Sequence, residues 1–332
     1  LHLLHIWPHQ ALCYGNDLTG DLRRIALVNE DSRSVTLWQL PASPQWDVAD
    51  MQPLATLTTP SPLRFCRLGR DGASLYVDWI ADDGSFGAEV WDVPAQRLLF
   101  ATPREAGPEV CWGEASGDMR LVFTGPCEGE GATTLTLWDV TSGRVALSLP
   151  TGHAAIQSPT MPGGAGIVWG VFSADGSRLA TAGVDGTARV FDTASGEAQF
   201  ILTGHEGQVF CAEFSPDGQR LATAGDDGTA RIWDLAPGPS AGQELVRIEH
   251  DGEVNVVAFS PDGGALATGT LAGVIALWNA GDGRRLLSLR GSSGEVEFLV
   301  FSPDGARLFS EANADWRTRL WDLSPDRELL TL

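Results

Sequence analysis

Short apolar runs with polar residues between them recur along the whole chain. Seven of these runs close on an aromatic residue, followed in most cases by Asp and an aliphatic residue. The series is Trp38-Gln39-Leu40, Trp91-Asp92-Val93, Trp138-Asp139-Val140, Phe191-Asp192-Thr193, Trp233-Asp234-Leu235, Trp278-Asn279-Ala280 and Trp321-Asp322-Leu323. The steps between the aromatics are 53, 47, 53, 42, 45 and 43 residues, a spacing that predicts one structural unit copied seven times. The last four units align closely. Each carries Phe-Ser-x-Asp-Gly, at Phe172–Gly176, Phe214–Gly218, Phe259–Gly263 and Phe301–Gly305. A second apolar run follows (Arg220–Gly225), then Asp227-Gly228, a third run ending in the Trp, and a fourth such as Ala198–Leu202. Asp and Gly tolerate the backbone of tight hairpin turns, so each unit reads as four antiparallel strands.

These motifs resemble the WD40 repeat. The resemblance is most specific from Thr203 to Leu323, where Gly204-His205, Ser215–Gly218, Asp227-Gly228 and Trp233-Asp234 fall at family spacing. From Leu1 to Leu149 only the strand-ending Trp, a few turns such as Arg70-Asp71-Gly72, and the period remain. The resemblance implies an all-β fold, a seven-bladed β-propeller of four-stranded antiparallel blades. Residues 1–332 form one domain on this reading, with 1–9 as an extra or latch strand. It also implies a hydrogen-bonded structural tetrad of His205, Thr223, Asp227 and Trp233. The preceding unit has His153, Thr181 and Asp185 but Phe191 for the Trp; the following one has His250, Thr268 and Trp278 but Ala272 for the Asp. In the last unit Ser292 and Ser293 stand near the His position, and Asp315 sits in a lengthened turn. Loss of the His205 imidazole is expected to cost about 1–3 kcal/mol, and loss of His153 less.

In such propellers two sets of positions face one end of the channel and commonly contact peptides. Matched to this chain, the first set is Phe210, with Val168, Asn255 and Glu297, and with Tyr14 and Arg64 by weaker alignment; the second is Asp226, Val184 and Leu271. The implied partner is a protein or peptide, neighbouring domains of the same polypeptide included. Phe210 as an aromatic anchor and Asp226 as a carboxylate acceptor favour a basic, extended segment. An insertion from Ala154 to Gly164 either folds over that segment or moves freely. The alternative from another class is a small-molecule-binding or enzymatic propeller using the central channel.

Composition narrows the choice. The net charge is -21, with 43 acidic residues against 22 basic ones, which disfavours nucleic acid. Every basic residue is Arg, so lysine-dependent phosphate, Schiff-base and kinase chemistries are excluded, and the bias suggests a bacterial source. Cys13, Cys66, Cys111, Cys127 and Cys211 show no CxxC spacing and read as buried thiols in a reducing compartment, neither a disulfide framework nor a zinc site. His2, His5 and His9 fall in a predicted strand, where His5 and His9 lie about 13 Å apart, too far for one metal to join all three; a helix there would put them on one face and leave a metal site open. Asp82-Asp83 and Asp226-Asp227 each precede Gly and read as turn residues. No H-E-x-x-H and no phosphate-cradling glycine loop opening a helix is present. No apolar run is long enough to span a membrane. The expectation is a cytoplasmic, non-enzymatic interaction scaffold or ligand-sensing propeller, with no cofactor and no metal. Both termini match a fourth strand. The C-terminal segment from Arg327 to Leu332 matches better and is expected to complete the last unit. The surplus strand suggests a region of a larger signalling or immune-type protein.

Overall fold

The computed structural model describes residues 3–7, 24–29, 31–39, 52–69, 71–81, 86–103, 110–126, 133–154, 166–289, 294–302, 304–314 and 317–323. After β1 (Leu3–Trp7), the chain lays down seven antiparallel blades in sequence order. Blade 1 contains β2 (Arg24–Val28), β3 (Ser34–Gln39) and β4 (Gln52–Thr58). Its expected inner strand, with Tyr14, lies outside the described residues. Blade 2 is β5 (Leu63–Leu68), β6 (Ser74–Ile80), β7 (Phe86–Asp92) and β8 (Arg97–Ala101). Blade 3 is β9 (Val110–Ala115), β10 (Leu121–Pro126), β11 (Thr134–Asp139) and β12 (Arg144–Pro150). Blade 4 is β13 (Ile167–Phe172), β14 (Arg178–Gly183), β15 (Thr187–Asp192) and β16 (Ala198–Thr203). Blade 5 is β17 (Val209–Phe214), β18 (Arg220–Gly225), β19 (Thr229–Asp234) and β20 (Glu244–Glu249). Blade 6 is β21 (Val254–Phe259), β22 (Ala265–Thr270), β23 (Ile275–Asn279) and β24 (Arg285–Leu289). Blade 7 is β25 (Val296–Phe301), β26 (Arg307–Ala312) and β27 (Arg317–Asp322), with β1 as its fourth strand. The architecture is an all-β propeller.

Burial explains the strand sequences. The second strand of each blade is covered on both faces by neighbouring blades, so Leu221, Ala222, Thr223 and Ala224 are all fully buried. Small residues there let adjacent sheets stack closely. The outermost strands keep the alternation of a half-solvated sheet, as in β20, where only Val246 and Ile248 are buried.

One turn recurs in all seven blades. Ser116, Ser173, Ser215, Ser260 and Ser302 donate their hydroxyls to Asp118, Asp175, Asp217, Asp262 and Asp304 at 2.5–2.7 Å. Asp31 and Asp71 instead accept from Ser34 and Ser74. The residue after each Asp has a left-handed backbone: glycine in five blades, but Ser32 (φ 53°) in blade 1 and Met119 (φ 56°) in blade 3.

Arginines at equivalent positions clamp successive blades. Arg24 donates to the Gly72 carbonyl at 2.9 Å, Arg178 to Gly218, and Arg220 to Gly263 at 2.7 Å. Arg178 and Arg220 also lie over the rings of Phe214 and Phe259, at 5.4 and 5.3 Å. Blade 6 has Ala265 at this position, paired with Asn279 as Arg220 is paired with Asp234.

Two expectations are corrected. The outer strand of blade 7 is β1, antiparallel to β27 with Ile6 opposite Arg319 and Trp7 opposite Thr318, so the N-terminal strand is the latch. The edge of β27 is thereby occupied, and residues 324–332 lie outside the described part. Cys66 is disulfide-bonded rather than a thiol. Its partner is not Cys211, which is free.

Candidate functional site

The inner strands of six blades share one irregularity. Opposite the second strand, pairing passes from Leu63 to Phe65, Val110 to Trp112, Ile167 to Trp169, Val209 to Cys211, Val254 to Val256 and Val296 to Phe298. The residues skipped are Arg64, Cys111, Val168, Phe210, Asn255 and Glu297. A bulge re-aims the unpaired side chain. Five of the six are the residues singled out from the sequence; Cys111 was missed, because in blade 3 Met119 stands where blades 2 and 4–7 have the Gly of an Asp-Gly turn. The side chains of Arg64 and Cys111 and the whole of Tyr14 lie outside what the structure describes.

Val168 is 37% exposed, and Phe210, Asn255 and Glu297 are partly exposed. The Asn255 amide donates to the Val296 carbonyl at 3.0 Å, tying blade 6 to blade 7. Burial first, then the charge of Glu295, pushes the Glu297 carboxyl above its ordinary range, against a hydrogen bond from Asn313. The second set lies at the same end. The backbone N–H groups of Val184, Asp226 and Leu271 donate to the carbonyls of Gly166, Gln208 and Glu253, just before each inner strand. Asn313 makes the same bond to Glu295 and belongs with them, although its lengthened turn hid it in the sequence. The Asp226 carboxylate lies against Gly207 and leaves no room there for a Cβ.

Below the bulges, the next residues wall a cavity of about 50 Å³ whose lining includes Phe65, Trp169, Cys211, Val256 and Phe298. Deeper in the lining are the buried Arg67–Glu114 ion pair and Glu213, which accepts the Phe259 N–H at 3.3 Å. Trp169 donates its indole N–H to the Ala212 carbonyl at 3.1 Å. Burial pushes the Cys211 thiol up to about 12, which leaves it unreactive.

Away from the channel, blade 5 contains a continuous hydrogen-bonded chain. Trp233 Nε1 donates to Thr223 Oγ1 at 2.9 Å, Thr223 meets His205 Nε2 at 2.8 Å, and His205 Nδ1 meets Asp227 at 3.0 Å. An indole only donates and a carboxylate only accepts, so the chain has one satisfied polarity: Thr223 donates to Nε2, and a neutral imidazole donates from Nδ1. Burial lowers the His205 pKa despite Asp227, in keeping with that neutral form. Burial alone would raise Asp227, but hydrogen bonds from Thr229 and His205 hold it well below the usual carboxylate range. In blade 4, His153 meets Asp185 at 2.9 Å and Thr181 at 2.8 Å, without a Trp.

The family described as WD domain, G-beta repeat matches residues 157–192, 196–234, 243–279 and 283–322. The chain belongs to the WD40-repeat family. It has no match among curated proteins.

As a WD40 protein it departs from the repeat blade by blade, with visible causes. The strand-ending Trp finds a hydroxyl where the second strand supplies one, at Thr124, Thr223, Thr268 and Ser310. Where that position is Val77, Trp91 turns to Glu89; where it is Leu27, the buried Trp38 Nε1 has no partner. In blade 6, Thr270 replaces the glycine (Gly225 in blade 5) whose missing Cβ makes room for the His ring. His250 accordingly lies edge-on to Trp278 at 5.1 Å, its Nε2 buried without a partner. Burial lowers its pKa to about 4. Ser292, Ser293 and Asp315 of the last WD40 unit, and 155–164 of the insertion, lie outside the described residues.

Among the described residues no group of His, Cys, Asp and Glu could hold a metal, and no helix is long and apolar enough to cross a membrane. His2, His9, Asp82 and Asp83 are outside those residues, as is the side chain of His5.

Proposed function

We propose that this propeller is a protein-interaction module that binds a protein or peptide segment across the channel mouth bearing Val168, Phe210, Asn255, Glu297 and Asp226. WD40 propellers generally mediate protein interactions and are generally non-enzymatic scaffolds. The observation that carries the reading is the bulge repeated on six inner strands, which leaves one residue per blade out of the pairing at the same end of the ring. Such a surface offers an aromatic group, an aliphatic group, an amide and carboxylates within one perimeter. A small-molecule site in the channel is disfavoured by magnitude. The cavity of about 50 Å³ is well below the roughly 300–1,000 Å³ of ligand pockets.

Affinity capture from cells expressing the protein tests the reading, with Phe210→Ala and Asp226→Arg compared against an outer-strand control, Ile201→Asp. Partners lost from both mouth variants and kept by the control are the expected result. Capture unchanged by both mouth variants moves the site to the outer edges of the blades.

A further inference from the structure

The channel mouth is built in layers, and each constrains what can sit there. The bulge residues form the rim, with Phe210, Asn255 and Glu297 on three successive inner strands. One residue further along, Trp169, Cys211, Val256 and Phe298 make an apolar wall. The Arg67–Glu114 pair and Glu213 lie two residues deeper, so an apolar group can be accommodated only between rim and floor. The space there, about 50 Å³, is a third of the roughly 150 Å³ that takes a benzene ring. That volume favours a compact aliphatic group over an aromatic ring.

Carboxylates gather at the rim. Asp185, Asp227, Glu244 and Glu114 each meet an arginine, respectively Arg189, Arg231, Arg231 and Arg67. Glu297 is partly buried beside Glu295, and among the described residues neither forms an ion pair. Glu206 and Glu253 add exposed carboxylates on the same side of blades 5 and 6.

Resting on the reading of this face as a binding surface, we infer that its occupant is an extended basic segment of a protein partner. It inserts one Val, Ile or Leu side chain between Trp169, Cys211, Val256 and Phe298 and sets a neighbouring Arg or Lys against Glu297. The apolar insertion supplies contact area, and the cation relieves the repulsion between Glu295 and Glu297. An acidic segment is rejected by the same carboxylates and by the net charge of -21.

The test is selection of a random peptide display library on the full chain at low salt. Peptides whose capture is lost in Phe210→Ala and Asp226→Arg should share an aliphatic residue next to Arg or Lys. Their affinity should fall about tenfold or more in Glu297→Gln, and fall again as salt is raised. Changing the peptide's aliphatic residue to Ala should abolish capture, a readout that leaves the protein untouched. Peptides that need Phe210 yet lack the basic and aliphatic pair, or ignore Glu297→Gln and salt, overturn this inference and leave the binding face standing. Enrichment of no peptide dependent on Phe210 and Asp226 overturns the binding face, and the inference with it.

Discussion

His153 and His205 show how a residue's surroundings reset an expectation drawn from a motif. Phe191 in place of Trp suggested that His153 matters less than His205. The structure gives His153 the same two kinds of hydrogen bond at lengths within 0.1 Å and leaves it only 3% exposed. Thr181 has no indole to fall back on, whereas Thr223 keeps the one from Trp233. His153→Ala and His205→Ala should therefore cost similar amounts, about 1–3 kcal/mol each, read from urea unfolding midpoints. His250 is the opposite case. Its folded pKa of about 4 lies below the ordinary 6.5, so the unfolded chain takes up the proton first. The associated stability is present above about pH 6.5 and is lost as pH falls toward 4. The double variant Thr270→Gly with Ala272→Asp should rebuild the blade 5 arrangement. NMR titration should then show the His250 pKa raised, and the loss of stability between those pH values should shrink. Ala272→Asp alone should do less, because the Thr270 side chain still occupies the ring's place.

At the scale of elements, strands and their order were readable because apolar spacing and Asp-Gly turns report local backbone directly. The contacts between blades were not. Arg24, Arg178 and Arg220 open their strands with nothing nearby in sequence to name Gly72, Gly218 or Gly263 as acceptors. The missing clamp in blade 6 makes this testable. Ala265→Arg should reach Phe301 and the Gly305 carbonyl and raise stability by about 0.5–1 kcal/mol in denaturant titration. The turn after the inner strand offers a paired comparison. Ser32 is exposed and held at a φ of 53°, so Ser32→Gly should stabilise by about 1 kcal/mol. Met119 has almost the same backbone but is 5% exposed. Met119→Gly should destabilise, since losing a buried side chain worth about 1.5–3 kcal/mol outweighs the relief of strain.

At the scale of the molecule, the number of blades was legible and the closure of the ring was not. A seven-fold period is a property of the sequence, whereas the strand that fills the last edge depends on which of two similar apolar segments docks there. Pattern matching favoured Arg327–Leu332; the pairing of Leu3–Trp7 with β27 shows the N-terminal segment in that place. The Cys66 disulfide was hidden for a related reason, since the spacing of five scattered cysteines carries no information on which chains meet in space. The mouth was partly legible: five of its six bulge positions followed from the repeat alignment, while the burial that raises Glu297 depends on packing. Closure by β1 joins the first strand of the chain to the last blade, so removing it should expose the edge of β27 and open the ring at one seam. Deletion of residues 1–7 should lower the thermal midpoint and speed amide exchange at Thr318, Arg319 and Leu320, which pair with Trp7, Ile6 and His5. Deletion of 328–332 should leave both unchanged. If that deletion instead produced the loss, and deletion of 1–7 did not, the C-terminal segment would be the closing strand in solution.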